Sequence, residues 1–226
     1  MSTLVTYEKD ENVAIITLDD GKANAVSHQV IDELNAALDK AEAEKATVLL
    51  TGREGKFSAG FDLSVMKEGG PEAVGMLVGA GARLSQRLLA FPTPVIIACN
   101  GHSLAMGALM LLSVDYRIGV SGKYKLGLNE VAIGMTMPYF GVELARGRLT
   151  PSFFGRSVSN AEIFSPEEAM TAGFLDKVVP EDQLLTVALA GAKMMSQLDL
   201  TAHHGTKLRV RDQLLVLVDE AIKKEF

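Results

Sequence analysis

Four short runs set the frame for this chain. Val13 to Leu18, Thr47 to Thr51, Val95 to Cys99 and Tyr116 to Val120 are apolar or β-branched almost throughout and too short for helices, which predicts strands. The intervening segments change period. Behind Ser27, a residue able to cap a helix, Val30, Leu34, Leu38 and Ala41 recur on one helical face. A second helix containing Leu84, Leu88 and Leu89 leads to Pro92 and Pro94, and the small-residue stretch Ala105 to Leu112 predicts a third. Strand–helix–strand alternation of this kind calls for a layered α/β core. One more strand, Leu4 to Glu8, precedes Val13 through a turn at Asp10-Glu11-Asn12.

The last third is expected to be helical. Ser165-Pro166-Glu167-Glu168 combines a capping serine, proline at the first helical position and glutamate at the third, and Gly173 closes that helix. A helix after Pro180 follows, then one from about Thr201 with Leu214, Leu215, Val218 and Ile222 on its apolar face. The expected organisation is a core over residues 1–163 and a C-terminal helical region over 164–226.

Composition excludes several classes. With 22 Lys and Arg against 28 Asp and Glu among 226 residues, the net charge is −6, and no basic run forms a stripe for nucleic acid. The single cysteine, Cys99, excludes an internal disulfide framework and fits a reducing cytosol. No signal pattern or membrane-length apolar stretch is present, so a soluble, cytoplasmic protein is expected. His28, His102, His203 and His204 lack metal-ligand spacing, and no metal is expected. There is no Gly-x-Ser-x-Gly elbow. Gly79-Ala80-Gly81 lacks the third glycine of a dinucleotide fingerprint, and Leu50 stands where a phosphate loop before Gly55-Lys56 needs glycine.

Three segments hold candidate chemistry. In Lys56 to Leu63, the small residues Ala59 and Gly60 leave backbone N–H groups free to face a ligand, although taken alone these residues fit a plain turn into a helix better. In Asn100 to Ala108, small residues at a strand-to-helix junction either expose amides or serve close helix packing. In Lys125 to Gly134, Glu130 stands among apolar and small neighbours. A carboxylate there is solvated at the surface, paired, or raised in pKa as a proton-shuttling base requires.

Taken in order, these segments resemble the crotonase (enoyl-CoA hydratase/isomerase) superfamily. The markers are the Phe57–Leu63 loop, Pro92-Thr-Pro-Val-Ile-Ile-Ala-Cys-Asn-Gly101, Asp115-Tyr-Arg-Ile118, and Ser165-Pro-Glu-Glu-Ala169 with Gly173 and Val178-Val179-Pro180. The resemblance runs from about residue 3 to about residue 210. It implies an α/β fold of repeated β-β-α turns forming a superhelix, here with a shortened C-terminal helical region, assembled as a homotrimer. It also implies an acyl-CoA substrate, with coenzyme A as part of that substrate and no separate cofactor.

Matched position by position, the resemblance assigns the oxyanion-hole amides to Phe61 and Met106. It assigns the thioester site to Ala59, Gly60, Phe61, Asp62 and Leu63. Met106 stands where the family has glycine, so its side chain is expected to narrow the site. The first of the two hydratase glutamates corresponds to Leu109 and the second to Glu130. One glutamate suits transposition of a 3-enoyl-CoA double bond to the 2 position, as in delta3-delta2-enoyl-CoA isomerases of the mitochondrial type, and the Asp115-to-Glu130 stretch looks most like these. Hydration, thioester hydrolysis, decarboxylation and silent CoA binding remain the alternatives. Asn129, beside Glu130, is a candidate substrate contact, and Met135-Thr-Met-Pro-Tyr-Phe140 a candidate acyl pocket.

Overall fold

Strand β1 (Val5–Asp10) turns back antiparallel on β2 (Val13–Leu18), with Glu11 at φ 54° in the connection. The computed structural model in which this is seen describes residues 3–226, for residues 66 and 67 the backbone only. After β2 come β3 (Ala25–Val26), α1 (His28–Ala43), β4 (Thr47–Thr51), β5 (Gly55–Ser58), β6 (Gly60–Phe61), α2 (Leu63–Glu68) and α3 (Gly70–Ala90). The next turn of the chain is β7 (Val95–Cys99), β8 (Gly101–Leu104) and α4 (Met106–Leu112), followed by β9 (Tyr116–Val120) and β10 (Leu126–Gly127). Then come α5 (Tyr139–Arg148), α6 (Pro151–Val158), α7 (Pro166–Ala172), β11 (Lys177–Val179), α8 (Leu184–Met195), α9 (Leu200–Val210) and α10 (Asp212–Glu225).

Each turn lays one strand in a large sheet and the next in a small one before a helix returns the chain. The large sheet runs β1-β2-β4-β7-β9-β11, parallel beyond β2; the small sheets are β10-β8-β5 and β3-β6. This is the expected β-β-α superhelix.

The central strands β4 and β7 of the large sheet are buried on both faces, which is why they read as unbroken apolar runs. Val48, Leu50, Ile97 and Cys99 join the main core with α1, α3 and α4, while the alternating Leu49, Ile96 and Ala98 meet Leu184, Ala188 and Ala192 of α8. The capping box predicted at Ser165 is present, and Gly173 ends α7 at φ 100°.

The structure corrects the expectations for the last third. β11 extends the large sheet there, and the helix expected from about Thr201 is two helices, α9 and α10, broken at Arg211. The joint is local to Arg211, whose backbone leaves helical values at φ −102° and ψ 6°. Arg211 donates to Leu89 O and Val114 O and pairs with Asp115 Oδ1 at 2.9 Å, while Lys207 Nζ reaches Asp115 Oδ2 at 2.6 Å and the carbonyls of Phe91 and Thr93. These contacts fasten α9 and the start of α10 to the end of α3 and to the connection between α4 and β9.

Candidate active site

The segment before Asn24 sets the first wall of the site. Asn24 adopts φ 52°, a left-handed conformation that asparagine tolerates. Its buried amide donates to the carbonyls of Leu18, Lys56 and Phe57. Ser58 Oγ donates to Asn24 O at 2.7 Å and accepts from Gly60 N, and Ala59 N donates to Ala23 O. Together these bonds pin β6 alongside β3. Asp62 N donates to Val26 O, so one residue back along the strand the Phe61 N–H points away from β3.

Helix α4 supplies the second wall. Ala105, its cap, is held at φ 48° and ψ −121°, a strained conformation for a residue with a Cβ. Its own N–H donates to Gly127 O. Met106 is the first helical residue, so its N–H has no acceptor within the helix. Gly60 makes the approach possible: a Cβ there would lie 2.7 Å from Ala105 Cβ and 3.4 Å from Met106 N. The Phe61 and Met106 amides therefore border one another across the β6–α4 junction. Gly107 packs as tightly, since a Cβ on it would lie 2.7 Å from Ser58 O, which is the close helix packing that small residues at this junction permit.

The third wall follows β10. Its pairing with β8 brings Leu128, Asn129 and Glu130 beside the start of α4. Glu130 begins a 3-10 turn over Val131–Ile133, with Met135 N bonded to its carbonyl. Its side chain is not at the surface but 95% buried, with Oε2 unpartnered. Burial is the main cause that pushes its pKa up to about 7, a bond to its own backbone N–H opposing only part of this. Asn129 Oδ1 is likewise buried without a partner.

A cavity of about 210 Å³ lies between these walls. Of the residues anticipated, Ala59, Phe61, Leu63, Asn129 and Glu130 line it. Four do not. Asp62 turns to cap α2 through Ser64 N and Oγ, and Gly60 is packed against Ala105. Leu109 is fully buried against Gly141. The Met106 side chain is fully buried too and is not among the lining residues. Its Cε and the Phe61 ring pack where a Cβ on Gly81 would be, 3.3 and 2.5 Å away. Of the anticipated acyl-pocket segment, Met135, Thr136 and Pro138 reach the cavity, whereas Met137 and Phe140 join the core and Tyr139 is exposed.

Other lining residues come from far along the chain: Val74, Gly75 and Val78 of α3, and Glu225 and Phe226 at the end of α10. Nothing local in the sequence marks them, because only the crossing of α10 over α3 and α5 brings them here. The Asn24 hub has only a faint cue in the sequence, an asparagine between Gly21 and the short apolar pair Ala25-Val26 in an otherwise charged loop.

The family profile described as enoyl-CoA hydratase/isomerase matches residues 8–214. The chain belongs to that family. A solved enoyl-CoA hydratase/isomerase family protein from Pseudomonas syringae is 52% identical and superposes with a TM-score of 0.96, covering 98% of this chain and 96% of that one. The mitochondrial enoyl-CoA delta isomerase 1 of Rattus norvegicus is 33% identical over 185 residues, which is 80% of this chain and 64% of the rat protein. The short-chain-enoyl-CoA hydratase of Clostridium acetobutylicum is 32% identical over 81% of this chain and 72% of that protein. Family members named for isomerisation and for hydration are thus about equally similar. Among the described residues no helix is long and apolar enough to cross a membrane.

Proposed function

We propose that this protein is an acyl-CoA enzyme that moves the double bond of a 3-enoyl-CoA to the 2 position, with Glu130 as its single acid/base. The observation that carries the reading is the state of Glu130: a buried carboxylate with a free oxygen and a pKa near 7, lining an apolar cavity. Such a group accepts a proton and gives it back at neutral pH.

In the proposed reaction the thioester oxygen accepts from the Phe61 and Met106 N–H groups. Glu130 takes a proton from C2, leaving a dienolate whose charge falls on that oxygen, and returns the proton at C4. The double bond then lies between C2 and C3. Two preorganised donors at the developing oxyanion typically contribute several kcal/mol in such reactions (about 3 for one donor). No step calls on a metal or redox group. Asn129, with its amide oxygen unpartnered beside the base, is assigned a substrate contact.

Hydration is the second reading, favoured by the similarity to the Clostridium acetobutylicum hydratase. It asks for a second carboxylate at the water, and the corresponding residue, Leu109, is apolar and off the cavity. The other lining carboxylate, Glu225, is occupied by Tyr139 N at 2.8 Å. A trans-2-enoyl-CoA supplied to the enzyme separates the two. Isomerisation predicts slow return of 3-enoyl-CoA and no 3-hydroxyacyl-CoA; rapid appearance of the hydroxy product would overturn the isomerase assignment.

A further inference from the structure

Besides Glu130 the cavity is lined by Val74, Val78, Ile133, Met135 and Pro138, and Phe226 forms part of its wall. An apolar enclosure of this kind suits the hydrocarbon end of an acyl group, not the amide-bearing arm of coenzyme A. Phe226 is brought here by the last turn of α10. Glu225 Oε2 accepts from the Tyr139 N–H at 2.8 Å, the first amide of α5 and one with no acceptor in its own helix. Lys224 Nζ lies 3.7 Å from the centroid of the Tyr139 ring, a second tie between the same two helix ends. Farther back, Gln86 Nε2 donates to Asp219 Oδ1, which fastens α10 to α3.

The ring itself is seated by a missing side chain. A Cβ on Gly79 would stand 3.1 Å from Phe226 Cγ and 3.3 Å from Cδ1, so the ring rests directly on the backbone of α3. It is 43% exposed, with solvent on its outer side. Removing the ring therefore opens the cavity outward, whereas the buried walls around Glu130 stay as they are.

We propose that Phe226, seated on Gly79 and positioned by the Glu225–Tyr139 bond, is the stop that sets the length of acyl chain this cavity admits. The inference rests on the acyl-CoA reading above but not on the isomerase chemistry. Each methylene buried in an apolar site strengthens binding roughly fourfold. Affinity climbs with chain length until the chain meets the ring and then levels.

The test is the dissociation constants of saturated acyl-CoAs of increasing even chain length, measured on the full chain and its Phe226→Ala, Phe226→Trp and Glu225→Ala variants. The wild type is expected to show a break in the series. Phe226→Ala moves the break to longer chains with short-chain affinity held within about twofold, Phe226→Trp moves it to shorter ones, and Glu225→Ala moves it the same way as Phe226→Ala but less. A break at one length in all four proteins would overturn the stop and leave acyl-CoA binding intact. Failure of the wild type to bind any chain length would overturn the stop together with the acyl-CoA reading.

Discussion

Gly60 and Ala105 are packed so closely that a Cβ on the glycine would fall 2.7 Å from the Cβ of the alanine. Gly60 also holds φ 97°, outside the range that residues with a Cβ favour. This contact sets the strand bearing the Phe61 amide against the helix start bearing the Met106 amide, the two donors of the proposed oxyanion hole. Gly60→Ala is expected to part the two donors. Turnover of a 3-enoyl-CoA should fall roughly 100- to 1,000-fold, the loss of about one oxyanion donor, with KM changing much less. Steady-state kinetics on the folded variant decide the matter; wild-type turnover would remove Gly60 from the argument.

Asp115 is expected to govern stability, not turnover. Its carboxylate holds Lys207, Arg211 and the N–H of Val95, and both cations are buried. Desolvation pulls the pKa of each cation down, with Asp115 opposing it. Asp115→Ala strands two buried positive charges and should cost on the order of 3–5 kcal/mol in urea unfolding. Adding Lys207→Met should recover part of that loss. A cost under about 1 kcal/mol would mean that water, not Asp115, carries the two charges.

Glu130 couples stability to pH in a direction opposite to that of an ion-paired carboxylate. Its folded pKa, about 7, lies above its ordinary value of 4.5, so the folded state binds the proton more tightly. The stability that this gives is complete below about 4.5 and is lost as pH rises through about 7, a difference on the order of 3 kcal/mol. Glu130→Gln should remove the dependence and be the more stable protein at pH 8, and close to the wild type at pH 5. Thermal unfolding at the two pH values checks this; a Gln variant that is less stable at pH 8 would contradict it. In the wild type, kcat/KM should rise about tenfold per pH unit up to about 7 and level above it.

The four central strands were legible in the sequence to the residue, because a sheet covered on both faces needs continuous apolar runs. The caps at Ser27 and Ser165 were equally plain, since each depends only on residues within one turn. β3, β6 and β10 were not, being two residues each and held by contacts distant in the chain. The break at Arg211 is not marked locally either, and the contacts of that residue, to Leu89, Val114 and Asp115, are all far away in sequence. At the site, the motif order pointed to Phe61, Met106 and Glu130, but the burial of Glu130 and the arrival of Glu225 and Phe226 are products of packing.

The measurement that bears most directly on the whole reading is the product formed from a trans-3-enoyl-CoA by the wild type and by Glu130→Gln. The account predicts 2-enoyl-CoA from the wild type, and a loss of rate of at least about 100-fold in the variant, whose amide keeps the shape of the site but cannot carry the proton. A wild type that binds acyl-CoA yet leaves the 3-enoyl-CoA unchanged, or a variant that turns it over at the wild-type rate, would contradict it.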